Sequence, residues 1–344
     1  MNEIPQPLPK RVVCLHAHPD DESLSTGTLI VELVARGCQV AVVTATRGER
    51  GETTPGFAGL EGTPDLSRRR AEELNRALHV LGVNDHAFLG WPPCRAAGLA
   101  PRVYEDSGMS WVTPDWAGPA PDASPESFWL SDRNEAAADL EAYLASWGAE
   151  LVVTYNEDGG YGHPDHVACH EVAVLACRHV GLPLWTVGIP RLDQPGVEQS
   201  DPGPANPAEV AQTDAAARPG QAARPQGDDA TGPSDGKAAD ANKALDAAAR
   251  PGQAGSDHVS RPQADAAAPS GGGGGGGRGT PNGAAATPDA EPVLIDLPQH
   301  LPTVVKALGC HASQVVLDGT DMVHSGGQRH PIPSAFTLRT AVPA

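Results

Sequence analysis

No apolar run in this 344-residue chain approaches the ~20 residues needed to cross a bilayer, so no membrane partner is expected. The start Met1-Asn2-Glu3-Ile4-Pro5 also lacks the basic stretch and apolar run of a secretory signal. The expected compartment is the cytoplasm. Six cysteines, at 14, 38, 94, 169, 177 and 310, form no C-x-x-C pair. Several lie in apolar contexts such as Val13-Cys14-Leu15, and they read as buried thiols in a reducing compartment rather than disulfides or metal ligands. Basic charge is short as well. The 24 Lys and Arg against 43 Asp and Glu leave a net charge of −19, too acidic for a nucleic-acid partner. No Gly-x-Gly-x-x-Gly follows the first apolar strand, which counts against a nucleotide-binding module.

Large apolar residues nearly vanish between about 193 and 291, where Ala, Pro, Gly, Asp and Gln dominate. Such a stretch cannot bury enough surface to offset its ordering entropy and is expected to be disordered. Within it, Asp-Ala-Ala-Ala-Arg-Pro-Gly-Gln-Ala occurs at 214–222 and again at 246–254, a duplicated linker with no hydrophobic face to stack. The glycine run 271–277 has neither a preceding strand nor a following Lys-Ser/Thr, so it reads as spacer, not phosphate loop. The chain therefore divides into a core at 1–192, a disordered insertion at 193–291, and a completion of the core at 292–344.

Outside the insertion, apolar β-branched runs alternate with helical patterns in the manner of a parallel α/β sheet. Strands are predicted near 11–15, 39–44, 86–89, 151–155 and 184–188, and helices near 24–36, 67–81, 132–147 and 165–180. A further strand is expected at 293–297 and a helix at 299–308, with the tail as a strand or lid. The fold class is α/β, with a Rossmann-like, mostly parallel sheet and flanking helices.

Two stretches carry chemistry, each placed just after a predicted strand. They are His16-Ala17-His18-Pro19-Asp20-Asp21-Glu22-Ser23 and Gly159-Gly160-Tyr161-Gly162-His163-Pro164-Asp165-His166. A sheet that sets the first and fourth strands side by side brings them together at the edge where α/β folds bind ligands. His18 and Asp21, three apart, face one side of a turn, and His166 supplies a third ligand. Two imidazoles and a carboxylate suit a divalent ion that keeps an open position, as hydrolytic sites do. Asp20, beside ligand Asp21, is left free to take a proton and is assigned general base. The competing reading of Asp20 is a helix N-cap, although Glu22 and Ser23 are better placed to cap. Asp165 is expected to hydrogen-bond His163 and raise its pKa, leaving an imidazolium to hold an oxyanion or protonate a leaving amine. Tyr161 would donate to the same oxyanion. His16 reads as a packed strand end, and His79, His86, His170 and His179 as structural.

The H-P-D-D-E and H-P-D-H pair resembles the LmbE-like (PIG-L) zinc de-N-acetylases. The resemblance implies a Rossmann-like LmbE fold and removal of acetyl groups from N-acetylglucosaminyl conjugates. By position it makes His18, Asp21 and His166 ligands of one Zn2+, with Fe2+ also compatible, and Asp20 the general base. His163 becomes the group that stabilises the oxyanion and donates a proton, Asp165 its orienting partner, and Tyr161 a mobile tyrosine that polarises the amide.

Gly159-Gly160-Tyr161-Gly162-His163 and Asp106-Ser107-Gly108-Met109 look most like the actinobacterial branch of the mycothiol pathway, which acts on N-acetylglucosaminyl-inositol. That likeness covers 11 to about 190 and resumes weakly at Gly309-Cys310-His311-Ala312-Ser313-Gln314. It implies that Ser25, Arg70 and Asp106 hold sugar and inositol hydroxyls, although Arg70 among Arg68, Arg69, Glu72 and Glu73 also fits a solvated helix face. Asp106 falls in a long loop of the kind that carries function. The sister branch of S-conjugate amidases shares the ligands. From other classes, an iron(II) oxygenase, normally built on a double-sheet β fold, and a non-catalytic metal-binding module remain alternatives.

Overall fold

The computed structural model describes residues 3–113, 115–188 and 291–342. The glycine run, the duplicated nonapeptide and all of the expected insertion but Glu291 lie outside the described residues. In chain order the first elements are β1 (Arg11–His16), α1 (Asp21–Leu24), α2 (Gly27–Ala35), β2 (Gln39–Thr44), α3 (Pro64–Leu81), β3 (Asp85–Phe88), β4 (Met109–Thr113) and β5 (Trp116–Pro119). There follow α4 (Arg133–Trp147), β6 (Leu151–Tyr155), the short turn α5 (Gly159–Gly162), α6 (Pro164–Val180) and β7 (Leu184–Gly188). After residue 290 come β8 (Val293–Asp296), α7 (Leu301–Leu308), β9 (Val315–Asp318), β10 (Asp321–His324), β11 (Arg329–Pro331) and β12 (Ala335–Val342).

The main sheet runs β3-β2-β1-β6-β7-β12-β8. Its first five strands are parallel, while β12 lies antiparallel to both β7 and β8. The strands read as continuous apolar runs because both faces are covered. Alternation still sorts them. Val13, Leu15, Val43 and Val152 pack with Leu140 of α4 and Val172 of α6, whereas Val12, Cys14, Val42 and Val153 pack with Leu29 of α2 and Leu74 of α3 on the other face. The expected α/β sheet is borne out, and β1 and β6 are indeed neighbours, Val13 opposite Val152. Since the chain leaves β1 toward β2 on one side and returns to β6 on the other, their C-terminal ends flank the switch point where such folds hold ligands. Five cysteines are buried and free, and Cys310 is half-buried. Among the described residues no helix is long and apolar enough to cross a membrane.

Two details depart from the sequence reading, and the tail resolves to the strand rather than the lid. The helix expected at 24–36 is broken at Ser25-Thr26 into α1 and α2, because Asp20 and Asp21 already start a turn whose carbonyls accept the N–H groups of Leu24 and Ser25. The tail is a strand inserted between β7 and β8, with its bonds to β7 crossing a bulge near Thr340. A three-stranded sheet, β11-β10-β9, and the hairpin β4-β5 carried no signal strong enough to be expected.

Candidate active site

At the end of β1 the chain turns sharply through Pro19 and Asp20, the one described non-glycine residue with a positive φ, 125°. That strain, about 1–3 kcal/mol for such a residue, is held by contacts from several directions. Glu22 Oε2 accepts the Asp20 N–H at 2.9 Å, and the Gln314 amide donates to the Pro19 carbonyl at 2.6 Å. Ser23 donates to Glu22 Oε1 at 2.6 Å, and His311 Nε2 lies 2.9 Å from the same oxygen, both partners fully buried. Asp20 itself caps nothing through its side chain. The capping alternative for this carboxylate therefore falls away.

The second loop leaves β6 through Gly159 at φ 61°, where a Cβ would stand 2.7 Å from that of His166, so only glycine allows the imidazole so close. His163 then caps α6 and Pro164 takes the first helical position. This sets His166 one turn in. Its ring stacks on Tyr155 at 4.1 Å and its Nδ1 lies 3.1 Å from the Gly159 carbonyl, which turns Nε2 toward the first loop. There His166 Nε2 lies 3.3 Å from Asp21 Oδ1, and His18 Nδ1 lies 3.2 Å from Asp21 Oδ2. His18, His163 and His166 each offer a nitrogen within one 4.8 Å cluster.

His166 Nε2 is buried and has no hydrogen-bond partner among the described residues. A lone buried nitrogen facing a carboxylate and a second imidazole is what a ligand position for a cation looks like, and the donor set of two imidazoles and one carboxylate fits zinc or iron(II). His18, Asp21 and His166 are thus brought together, and His18 also lies within 4.8 Å of ligand atoms of Asp106 and Asp165.

Asp20 is next to this cluster. Burial first, and then the charge of Asp21, push its carboxyl up to about 7, against which His311 and Arg70 pull it down. A carboxyl near 7 is matched to taking and giving a proton at neutral pH. The Tyr161 phenol is pushed up by burial and by Asp21, Asp20, Asp106 and Asp165, so it stays protonated and a donor. Its ring meets the edge of His166 at 5.3 Å.

Asp165 and His163 do not pair as expected. The Asp165 carboxylate lies 3.2 Å from His18 Nε2 and accepts from the Ser107 N–H at 2.9 Å and from the Ser107 hydroxyl. What reaches His163 is the backbone N–H of Asp165, donating to Nδ1 at 3.2 Å. Asp165 therefore orients the His18 imidazole, and its helix-start position explains why: the carboxylate points back across the site while the amide faces the cap residue. The expected rise of the His163 pKa is also corrected. Burial, His18 and His166 hold it well below the ordinary value, outweighing Asp165 and Asp21. With Nδ1 accepting a hydrogen bond, the neutral ring carries its proton on Nε2.

Of the three expected sugar contacts, two border the cluster. Asp106 Oδ1 lies 3.7 Å from His18 Nε2, and its carboxylate accepts from the N–H groups of Gly108 and Arg50. Arg70 is buried, unlike Arg68 on the same helix, which pairs with Asp65 in solvent. Its guanidinium donates to the carbonyls of Gly48 and Glu52, and its Nε has no partner among the described residues. The solvated-face reading of Arg70 is overturned. Ser25 lies apart, at the end of α1, where it lines a recess with Pro333, Ala335 and Phe336.

The residues overlooked in the sequence are supports, Tyr155, Ser107, His311 and Gln314, while Glu22, read there as a cap, accepts the Asp20 N–H. Ser107 belonged to the quoted D-S-G-M and His311 to G-C-H-A-S-Q, so the motifs held the signal without the roles. The remote helices join here too, since Ser313 donates through both its N–H and its hydroxyl to the buried Glu73 of α3, at 3.0 and 2.6 Å.

The sheet is not the double-sheet β fold on which the oxygenase reading rests. Residues 13–177, which hold every candidate site residue named from the sequence, match the family profile of the GlcNAc-PI de-N-acetylases, PIG-L. The resemblance read in the motifs is borne out. The chain is 44% identical over 175 residues to 1D-myo-inositol 2-acetamido-2-deoxy-alpha-D-glucopyranoside deacetylase 1 of Saccharopolyspora erythraea, covering 50% of this chain and 55% of that protein. To the deacetylase of the same description from Kribbella flavida it is 41% identical over 179 residues, 51% of this chain and 55% of the relative. The chain spans about half the length of the curated relatives it matches. Among solved structures it is similar to a deacetylase of teicoplanin biosynthesis, with 24% identity, a TM-score of 0.38, and coverage of 55% of this chain and 72% of that one.

Proposed function

We propose that the chain is a metal-dependent N-deacetylase that hydrolyses the acetamide of N-acetylglucosaminyl-inositol to glucosaminyl-inositol and acetate, a step of mycothiol formation. The observation that carries the reading is the meeting of His18, Asp21 and His166, whose buried Nε2 faces Asp21 Oδ1 at 3.3 Å, beside the half-buried Asp20, its carboxyl pushed up to about 7. The substrate follows from the likeness of residues 13–177 to relatives described as acting on that glycoside.

In this reading His18, Asp21 and His166 hold one zinc ion per chain, with iron(II) as the alternative. When bound, the ion polarises the amide carbonyl and acidifies water. Asp165, with Ser107, fixes the ring plane of His18, as partners behind a metal ligand do. Asp20 takes the proton of the attacking water and is the group placed to pass it to the departing amine. His163, neutral with its proton on Nε2, and Tyr161 donate hydrogen bonds to the oxyanion. Arg70 and Asp106 read hydroxyls of the sugar and inositol rings, while the contact expected of Ser25 finds no support from its place in the recess with Pro333 and Phe336.

Residues 1–192 and 292–344 act as one catalytic domain, a reading supported by β12 and β8 completing the sheet and by His311 and Gln314 bracing the Asp20 loop. The compartment is the cytoplasm, and the partner is a small molecule, not nucleic acid or membrane. The test is a comparison of N-acetylglucosaminyl-inositol with mycothiol S-conjugates under one set of conditions. Acetate release from the first at far higher kcat/KM is expected; preference for the conjugates would make the protein an amidase of the sister branch.

A further inference from the structure

The β4-β5 hairpin leaves two large apolar side chains in solvent, Trp111 at 51% and Val112 at 68% exposure, yet it grips the α5 turn from two sides. From β5, Trp116 and the Ala117 carbonyl approach Gly162 so closely that a Cβ there would stand 2.5 and 2.6 Å from them. Gly162, at φ 87°, is the residue that permits the approach. From β4, the Trp111 indole stacks on the Tyr161 ring, with centroids 5.9 Å apart and planes at 30°. The phenol meets the edges of His166 and His163 at 5.3 and 6.0 Å. Among the described residues no hydrogen bond holds the Tyr161 hydroxyl, and Gly160 and Tyr161 both leave helical backbone values. The ring contacts with Trp111, His163 and His166 therefore set where the phenol points.

We propose that Trp111 is a positioning residue for Tyr161, its half-exposed indole holding the phenol over the imidazoles so that the O–H meets the amide oxygen. The proposal rests on the role given to Tyr161 above. Among the described residues Trp111 makes no hydrogen bond, ion pair or ring contact with His18, Asp20, Asp21 or His166, so its removal is expected to spare metal binding and act through the tyrosine.

The test is a cycle of four proteins: wild type, Trp111→Ala, Tyr161→Phe and the double variant, each with its metal content measured. Trp111→Ala is expected to lower kcat about 2- to 10-fold, the range of an aromatic pair, with KM and metal unchanged, and Trp111→Phe to restore most of it. In the Tyr161→Phe background the same substitution should cost nothing further. An equal loss in both backgrounds, or a loss confined to KM, overturns the proposal and makes Trp111 a substrate contact.

A readout without substrate separates this from the deacetylase reading itself. The chain has four tyrosines, of which Tyr104, Tyr143 and Tyr155 are buried in the core. In protein with 13C-labelled tyrosine rings, the signals lost in Tyr161→Phe should shift and average in Trp111→Ala while the other three sets stay. Tyr161 signals that do not move overturn the proposal, whether or not the wild type releases acetate.

Discussion

Asp20 is where local strain and proton chemistry coincide. Its backbone occupies a region that costs about 1–3 kcal/mol, its carboxyl caps no helix, and its acidity is set by burial and the neighbouring Asp21. Asp20→Asn is expected to keep bound metal and lose about 10²–10⁴ in kcat, the worth of a positioned general base. Loss of metal as deep as in His18→Ala would make Asp20 a ligand instead. Asp106 gives a second prediction. Asp106→Ala should cut kcat/KM for the inositol conjugate by about 5- to 100-fold, since an unpaired hydroxyl contact costs about 1–3 kcal/mol. Bare N-acetylglucosamine should be hit less. Because Asp106 also approaches His18 at 3.7 Å, an equal loss on both sugars would assign it to ligand support. At this scale the structure brings His18, Asp21, His163 and His166 together, since each triplet follows a strand directly. The sequence reading misjudged Asp165, because sequence spacing shows that two residues share a turn but not which way a carboxylate rotates out of it.

The elements show how the loop after β1 is held from far along the chain. Glu22 and His311, 289 residues apart, form a buried pair, and removing one partner of such a pair costs about 3–5 kcal/mol. For His311, burial opposes protonation, but Glu22, Asp20 and Glu73 win and raise its pKa above 6.5. Glu22 is pushed up by burial, yet His311 and Ser23 hold it below 4.5. The raised histidine stabilises the fold fully below its unfolded value and loses that contribution as pH climbs through its folded pKa. The lowered carboxyl does so above its unfolded value and loses it as pH falls. The pair therefore contributes most between about 4.5 and 6.5. Denaturant unfolding of wild type against His311→Gln should show the largest gap near pH 6 and a smaller one at pH 9; a gap that does not change with pH would contradict a charged pair. Strands β1, β2, β6 and β7 were legible because buried parallel strands are unbroken apolar runs. The hairpin was not, since its strands of five and four residues are too short to show a period, and the tail stayed open between strand and lid because β12 finds its neighbours on both sides of the long intervening stretch.

For the whole molecule, one sheet is assembled from chain on both sides of residues 189–290, with β12 between β7 and β8. Residues 201–288 hold only three large apolar side chains, Val210, Leu245 and Val259, so a chain lacking that stretch is expected to unfold cooperatively and keep activity within a few-fold. A missing thermal transition would show that the stretch is structural. The sequence was sufficient for the parallel order around β1 and β6, and through it for the place of the site, because that order follows from which strands the two motifs terminate. The central claim is that His18, Asp21 and His166 hold a metal on which amide hydrolysis depends. Its most direct measurement is acetate released from N-acetylglucosaminyl-inositol as stripped full-length protein is titrated with zinc or, anaerobically, with iron(II). Release that is absent in stripped protein and rises linearly to a plateau at one ion per chain, and that stays absent in His166→Ala, is the predicted result. Acetate release that ignores metal content, or none from fully loaded protein, would contradict the account.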